Sequence, residues 1–196
     1  MGQVKKGIRE LAKDSGGRGK AASASQDWFE DSKKSIRENS VQKTATRFRP
    51  GQVYVFRYDD PKYAVAWDRN PCVLALDPSG GNDCGINLNL LPPNIKEELL
   101  DVVYERFKGY LKGQEGKPAK NQAPLSLTYD GAKGFLGKFG FDFAIRQYIP
   151  SRKSQQAVVG YEHWPRVVLC DFPQLEGMGV GAIRVMFKNH LNKWDI

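Results

Sequence analysis

Many of the patterns that usually announce chemistry are scarce in this chain. It has three cysteines, Cys72, Cys84 and Cys170, and no C-x-x-C pair. An odd count with no apolar leader near the start predicts reduced thiols in a cytosolic setting rather than a disulfide framework. Its two histidines, His163 and His190, have no cysteine or acid beside them at metal-ligand spacing. His163 therefore reads as a structural or surface residue, Cys170 as a small buried hydrophobe within a strand, and Cys84 as a thiol in an exposed polar loop. No apolar run approaches the roughly 20 residues that span a bilayer. The Met-Gly opening is followed by Lys6 where myristoylation wants Ser or Thr. Gly177-Met178-Gly179-Val180-Gly181-Ala182 lacks the third glycine of a dinucleotide loop, and Gly131-Ala132-Lys133-Gly134 lacks the Walker arrangement. The acids Asp59, Asp60, Asp77, Asp83 and Asp130 fall in turn-like segments, where aspartate is common for conformational reasons. These absences predict a soluble protein with no catalytic residues, no cofactor, no metal and no membrane partner.

What is present is charge, unevenly placed. The 196 residues carry a net +8. Residues 1–49 hold 12 Lys and Arg against 6 Asp and Glu, so three quarters of that excess lies in the first quarter of the chain. Lys5, Lys6, Arg9, Lys13, Arg18, Lys20, Lys33, Lys34, Arg37, Lys43, Arg47 and Arg49 are the candidate contacts to a polyanion. Such residues neutralise phosphates without reading sequence. Trp28 and Phe29 stand out in this polar region as a candidate anchor into a partner or onto the body. A 40% apolar share and 11% aromatic content suffice for one packed core elsewhere.

Periodicity predicts an α+β protein with two parts. Residues 1–47 read as a flexible basic arm with short helices at 1–13 and 26–38, separated by a small, polar linker at 14–25. Residues 48–196 read as a compact domain. Strands are expected at Val53–Tyr58, Cys72–Leu76 and Gly85–Leu90, with the turn-forming cluster Asp77–Asp83 between the last two. Three short strands in close succession predict a small antiparallel SH3-like barrel. Pro92-Pro93 then opens a helix through Ile95, Leu99, Val102 or Val103, Phe107 and Tyr110, followed by a loop over 113–124. Beyond it the expectations are a strand at Leu125–Tyr129, a helix within 131–149, a strand at Arg166–Phe172 and a closing helix over 182–194. The segment 131–149 alternates like a strand through Phe139, Phe141, Phe143 and Ile145, yet it also fits a helix and is read as one.

Three segments carry a resemblance: Pro50–Asp59, then Trp67-Asp68-Arg69-Asn70-Pro71-Cys72-Val73-Leu74-Ala75-Leu76, then Gly85-Ile86-Asn87-Leu88-Asn89-Leu90-Leu91-Pro92-Pro93. This series is similar to a group of tailed-phage proteins, mostly T4-like, with strands of the form G-x-x-Y-x-F-x-Y-D-P. Leu127–Asp130, Arg146–Ile149 and Trp164 continue it, so the resemblance covers about 47–170 and leaves the arm outside. The chain departs from the group at Asn70, where an aromatic is usual, and at Asn89-Leu90, where His-Tyr is usual. The resemblance implies a virion or assembly protein, with DNA end protection among the roles. The leading expectation is a non-enzymatic structural part of a virion, at the tail, baseplate, neck or packaged-DNA end. Its arm would lace into other virion proteins or DNA, and it would sit in the virion or, during assembly, the host cytoplasm. A DNA-binding accessory protein that protects ends is the first alternative. The opening strands also resemble toxin-like SH3 barrels that cleave RNA, a second alternative resting on Arg57 or Arg69.

Overall fold

The computed structural model describes residues 2–38, 47–59, 70–79, 81–112 and 127–170. The elements run α1 (Gln3–Asp14), α2 (Arg18–Glu38), β1 (Val53–Tyr58), β2 (Cys72–Ser79), β3 (Asn82–Asn87), α3 (Pro93–Lys112), α4 (Tyr129–Phe139), β4 (Ile145–Tyr148), β5 (Lys153–Val159) and α5 (Trp164–Leu169). The strands form one antiparallel sheet in the order β4-β3-β2-β1-β5. Strand alternation divides it into two apolar faces. Val53 and Val55 of β1, with Cys72, Leu74 and Leu76 of β2, point into a large core with α1, α2, α3 and α5. Tyr54, Phe56 and Tyr58 point the other way, into an aromatic cluster with Phe48, Val73, Ala75 and Tyr148. Gly85 is needed at the centre of the sheet, because a Cβ there would lie 2.9 Å from the Leu74 carbonyl oxygen.

The α+β class holds, and the sheet is open: β4 and β5 do not pair, so the five strands are not closed into the expected barrel. β4 and β5 are its edges, separated by three strands, and a closed barrel would turn one apolar face inward on itself. The aromatic face curls on itself, so that Tyr148 of β4 packs 5.2 Å from both Phe56 and Tyr58 of β1, while the helices cover the opposite face. The central strand expectations hold, with two adjustments. β2 and β3 run to Ser79 and from Asn82, so the turn cluster narrows to a tight hairpin with Gly81 at φ +80°. Leu88–Leu90 forms a 3-10 turn in place of strand, because the Asn87 side chain accepts the Asn89 N–H at 3.1 Å. In α3 the core side of the helix carries Val103, while Val102 is 54% exposed.

Several expectations are corrected. The linker at 14–25 is helix from Arg18 onward, and α2 runs unbroken to Glu38. Ala21, Ser25 and Phe29 recur every four residues and all are buried, with Ser25 Oγ donating to the Ala21 carbonyl at 2.7 Å. Small residues let the helix come close, which a search for large apolar groups does not register. Gly16 and Gly17, at φ +73° and +136°, make the turn between α1 and α2. Val4 and Ile8 of α1 join the same core, so the described helices of the expected arm pack on the body. The strand expected from Arg166 is helix α5 as far as Leu169, started by Pro165 in its first turn, and Cys170 caps it, buried, in place of lying mid-strand. Its β-branched pair Val167-Val168 suggested a strand, but Trp164 fixes the helix by complete burial and an Nε1–H bond to the Val159 carbonyl at 3.3 Å. Tyr129 begins α4 rather than ending a strand, with Thr128 Oγ1 accepting the Gly131 N–H at 3.1 Å. The helix expected within 131–149 stops at Gly140 (φ +75°), and 145–148 pair with β3. The loop at 113–124 and the closing helix over 182–194 lie outside the described residues.

Phe29→Ala tests the docking of α2. Buried as it is, its loss should cost about 3–5 kcal/mol in urea denaturation, whereas a mobile arm would lose less than about 0.5 kcal/mol.

Candidate nucleic-acid interface

At 100° per residue, α1 separates its side chains into sectors. Val4, Ile8, Leu11 and Ala12 form the side packed on the core. Lys5, Lys6, Arg9 and Lys13 occupy an adjoining arc, and all four are exposed. The docking of the apolar side fixes where this cationic arc points. Asp101 of α3 accepts the Val4 N–H at 2.7 Å, supplying a carboxylate where the helix dipole and unpaired N–H groups favour one. Lys5 pairs with Glu97 at 3.3 Å and Lys6 with Glu10 at 3.8 Å; these half-exposed pairs are worth at most about 1 kcal/mol each. Arg9 and Lys13 have no ion pair among the described residues. The Gly16-Gly17 turn then brings in Arg18 and Lys20, also exposed, at the start of α2, whose first turn has no acid. The result is a helical hairpin whose outer surface presents cations at roughly one per helical turn.

The remaining candidates divide. Phe29 is buried in the core and Trp28 packs on His163, ring centroids 5.1 Å apart, so this pair anchors α2 to its own body. Trp28 is also bracketed by Asp27 and Asp31, which disfavour phosphate. Lys34 is exposed further along α2; the side chains of Lys33 and Arg37, and Lys43 altogether, lie outside the described residues. Arg47 and Arg49 sit on neither helix. They flank Phe48, whose ring is inserted in the aromatic cluster on the opposite face of the sheet, stacked on Tyr54 at 4.8 Å.

The family model of the phage T4 terminal DNA protecting protein matches residues 1–185. The chain belongs to that family. No curated protein and no solved structure matches it. The family match begins at residue 1, so the basic hairpin lies inside it, whereas the resemblance read from sequence began near residue 47. It bears out the expected relationship to T4-like DNA end protectors and places the chain among phage proteins with a role at DNA ends.

In this end-protection family member, the sequence reading missed a buried charged centre under Phe48. Asp83 of β3 and Lys153 of β5 are both almost fully buried and pair at 2.5 Å. The Lys153 ammonium lies 4.0 Å from the centre of the Phe48 ring. Asp83 Oδ1 faces the Phe48 N–H at 3.3 Å and Arg47 Nη1 at 3.5 Å. Burial pushes the Lys153 pKa down from 10.5; the Asp83 bond and charge oppose this and Arg47 adds to it. Asp83 had read as a turn residue, because its pairing with Lys153 depends on two strands 70 residues apart in sequence. Cys84, expected in an exposed loop, is buried in β3, and burial pushes its thiol above the ordinary value, leaving it a packing residue. Arg57, a candidate for RNA cleavage, is tied to Asp59 at 3.1 Å, and Arg69 lies outside the described residues. Among the described residues no three His, Cys, Asp or Glu side chains gather to hold a metal, and no helix is long and apolar enough to cross a membrane.

Asp83→Ala should destabilise the protein by about 3–5 kcal/mol in chemical denaturation by stranding a buried ammonium. Asp83→Asn with Lys153→Met should cost less than the sum of the two single changes, because neither charge is then left alone.

Proposed function

We propose that this protein binds and shields the ends of linear phage duplex DNA without catalysing a reaction, using the outer face of the α1–α2 hairpin as its principal phosphate contact. The observation that carries this reading is the family match from residue 1, which takes in the hairpin where Lys6, Arg9, Lys13, Arg18 and Lys20 are exposed together. Helical cations on a docked, rigid platform bind phosphate without the ordering entropy that a floppy arm would lose. They carry no base readout, as suits a protein that must recognise an end whatever its sequence. A copy bound at an end would travel with packaged DNA in the virion and act in the host cytoplasm. Neither fold nor family supports a place in the tail, baseplate or neck, so the DNA end takes precedence over those expectations, and other virion proteins are secondary partners. The ribonuclease alternative has no comparable support, and Arg57 is tied to Asp59 at 3.1 Å.

Exonuclease digestion of linear duplex DNA tests the reading, with circular DNA as competitor. The wild-type protein should slow degradation and prefer linear to circular DNA, with log affinity falling against log salt at a slope of about −3.6 to −4.5 for the four or five phosphates the hairpin neutralises. Lys6→Glu/Arg9→Glu/Lys13→Glu should abolish protection while leaving thermal unfolding nearly unchanged. Equal protection by that variant would overturn the assignment to α1.

A further inference from the structure

The segment Arg47-Phe48-Arg49 is held in a way that neither the hairpin nor packing alone requires. Phe48 fills the aromatic face, with Tyr54, Phe56 and Tyr148 around its ring. Its N–H faces Asp83 Oδ1, and the next N–H, of Arg49, donates to Tyr54 Oη at 3.0 Å. Tyr54 Oη in turn donates to Gln52 Oε1 at 2.7 Å. Two consecutive backbone groups are thus fixed to the sheet, and the arginines on either side project outward, Arg47 58% exposed and Arg49 exposed.

The charge balance beneath them matters most. Asp83 already pairs from inside with Lys153, at 2.5 Å against 3.5 Å to Arg47. The buried pair sums to zero, so Arg47 remains a surplus cation although a carboxylate steadies it. Arg49 has no ion pair among the described residues. The strap therefore presents two uncompensated guanidinium groups from a rigid backbone, and guanidinium favours phosphate through its forked donors.

We infer that Arg47 and Arg49 form a second phosphate contact, on the face of the sheet opposite the α1–α2 hairpin, and that Asp83 is its positioning residue. This rests on the DNA-end reading and adds to it: the protein grips the nucleic-acid backbone at two separate places. A carboxylate normally weakens phosphate binding nearby. Here, with its charge cancelled by Lys153, it acts through geometry, holding the Phe48 N–H and aiming Arg47.

The test is a salt series of binding to linear duplex DNA by the full chain. Arg47→Ala/Arg49→Ala, two exposed changes, should bind more weakly and lower the salt slope by about 2, at about 0.9 per lost phosphate contact, with unchanged thermal unfolding. Asp83→Asn, compared at a temperature where circular dichroism shows it folded, should also weaken binding, although it removes a negative charge and simple electrostatics predicts tightening. If it is not folded at any accessible temperature, Asp83→Asn/Lys153→Met serves the same comparison. An unchanged slope for the arginine pair, with binding lost in the α1 triple variant, would overturn this second contact and leave the proposed function standing. Tighter binding by the Asp83 variant would overturn the positioning role. No binding by the wild-type chain would overturn both.

Discussion

A five-stranded sheet that is apolar on both faces has to be covered twice, and most of this architecture follows from that constraint. Val53, Val55, Leu74, Leu76 and Ile86 on one side are each at most 3% exposed, as are Tyr54 and Phe56 on the other. Burying this much apolar surface is the main favourable term in folding. Bending the sheet onto itself covers one face only, so the other needs helices. The large core therefore recruits α1, α2, α3 and α5, and the aromatic face recruits its own rings, Phe48 among them.

This two-sided cover places the charges. The hairpin is attached by Val4, Ile8, Ala21 and Phe29, and what those residues bury decides that Lys6, Arg9 and Lys13 point outward. On the other face the Phe48 ring decides where Arg47 and Arg49 emerge. In both places an apolar side chain does the anchoring and a neighbouring cation is presented as a consequence. A protein that meets a polyanion without reading its sequence gains from this, since rigid placement lowers the entropy lost on binding.

The Asp83–Lys153 pair is an exception within the aromatic face. A buried ion pair seldom adds net stability over apolar residues of similar size. Its presence between β3 and β5, under Phe48, is better explained by specificity: Asp83 offers one oxygen to the lysine and the other to the strap, so one register of chain against sheet satisfies both. The cation–π contact with Phe48 compensates part of the lysine's lost hydration.

Local pattern by itself determined the strands β1 to β3, the helix α3, the mixed α and β class and the basic first quarter, since each is written in nearest-neighbour periodicity or plain composition. Tertiary structure alone decided the rest. Val167-Val168 has strand-like chemistry, yet the environment of Trp164 makes it helix. The Ala- and Ser-rich stretch 21–25 has linker-like composition, yet close packing against α5 makes it helix as well. Cys84 and Asp83 look like loop residues until β2 and β4 pair on either side of them. The cover of the core face is assembled from helices on both sides of the strands in sequence, α1 and α2 before β1 and α5 after β5. Pattern reports what a residue prefers among its neighbours along the chain; burial depends on partners that only the folded chain brings together.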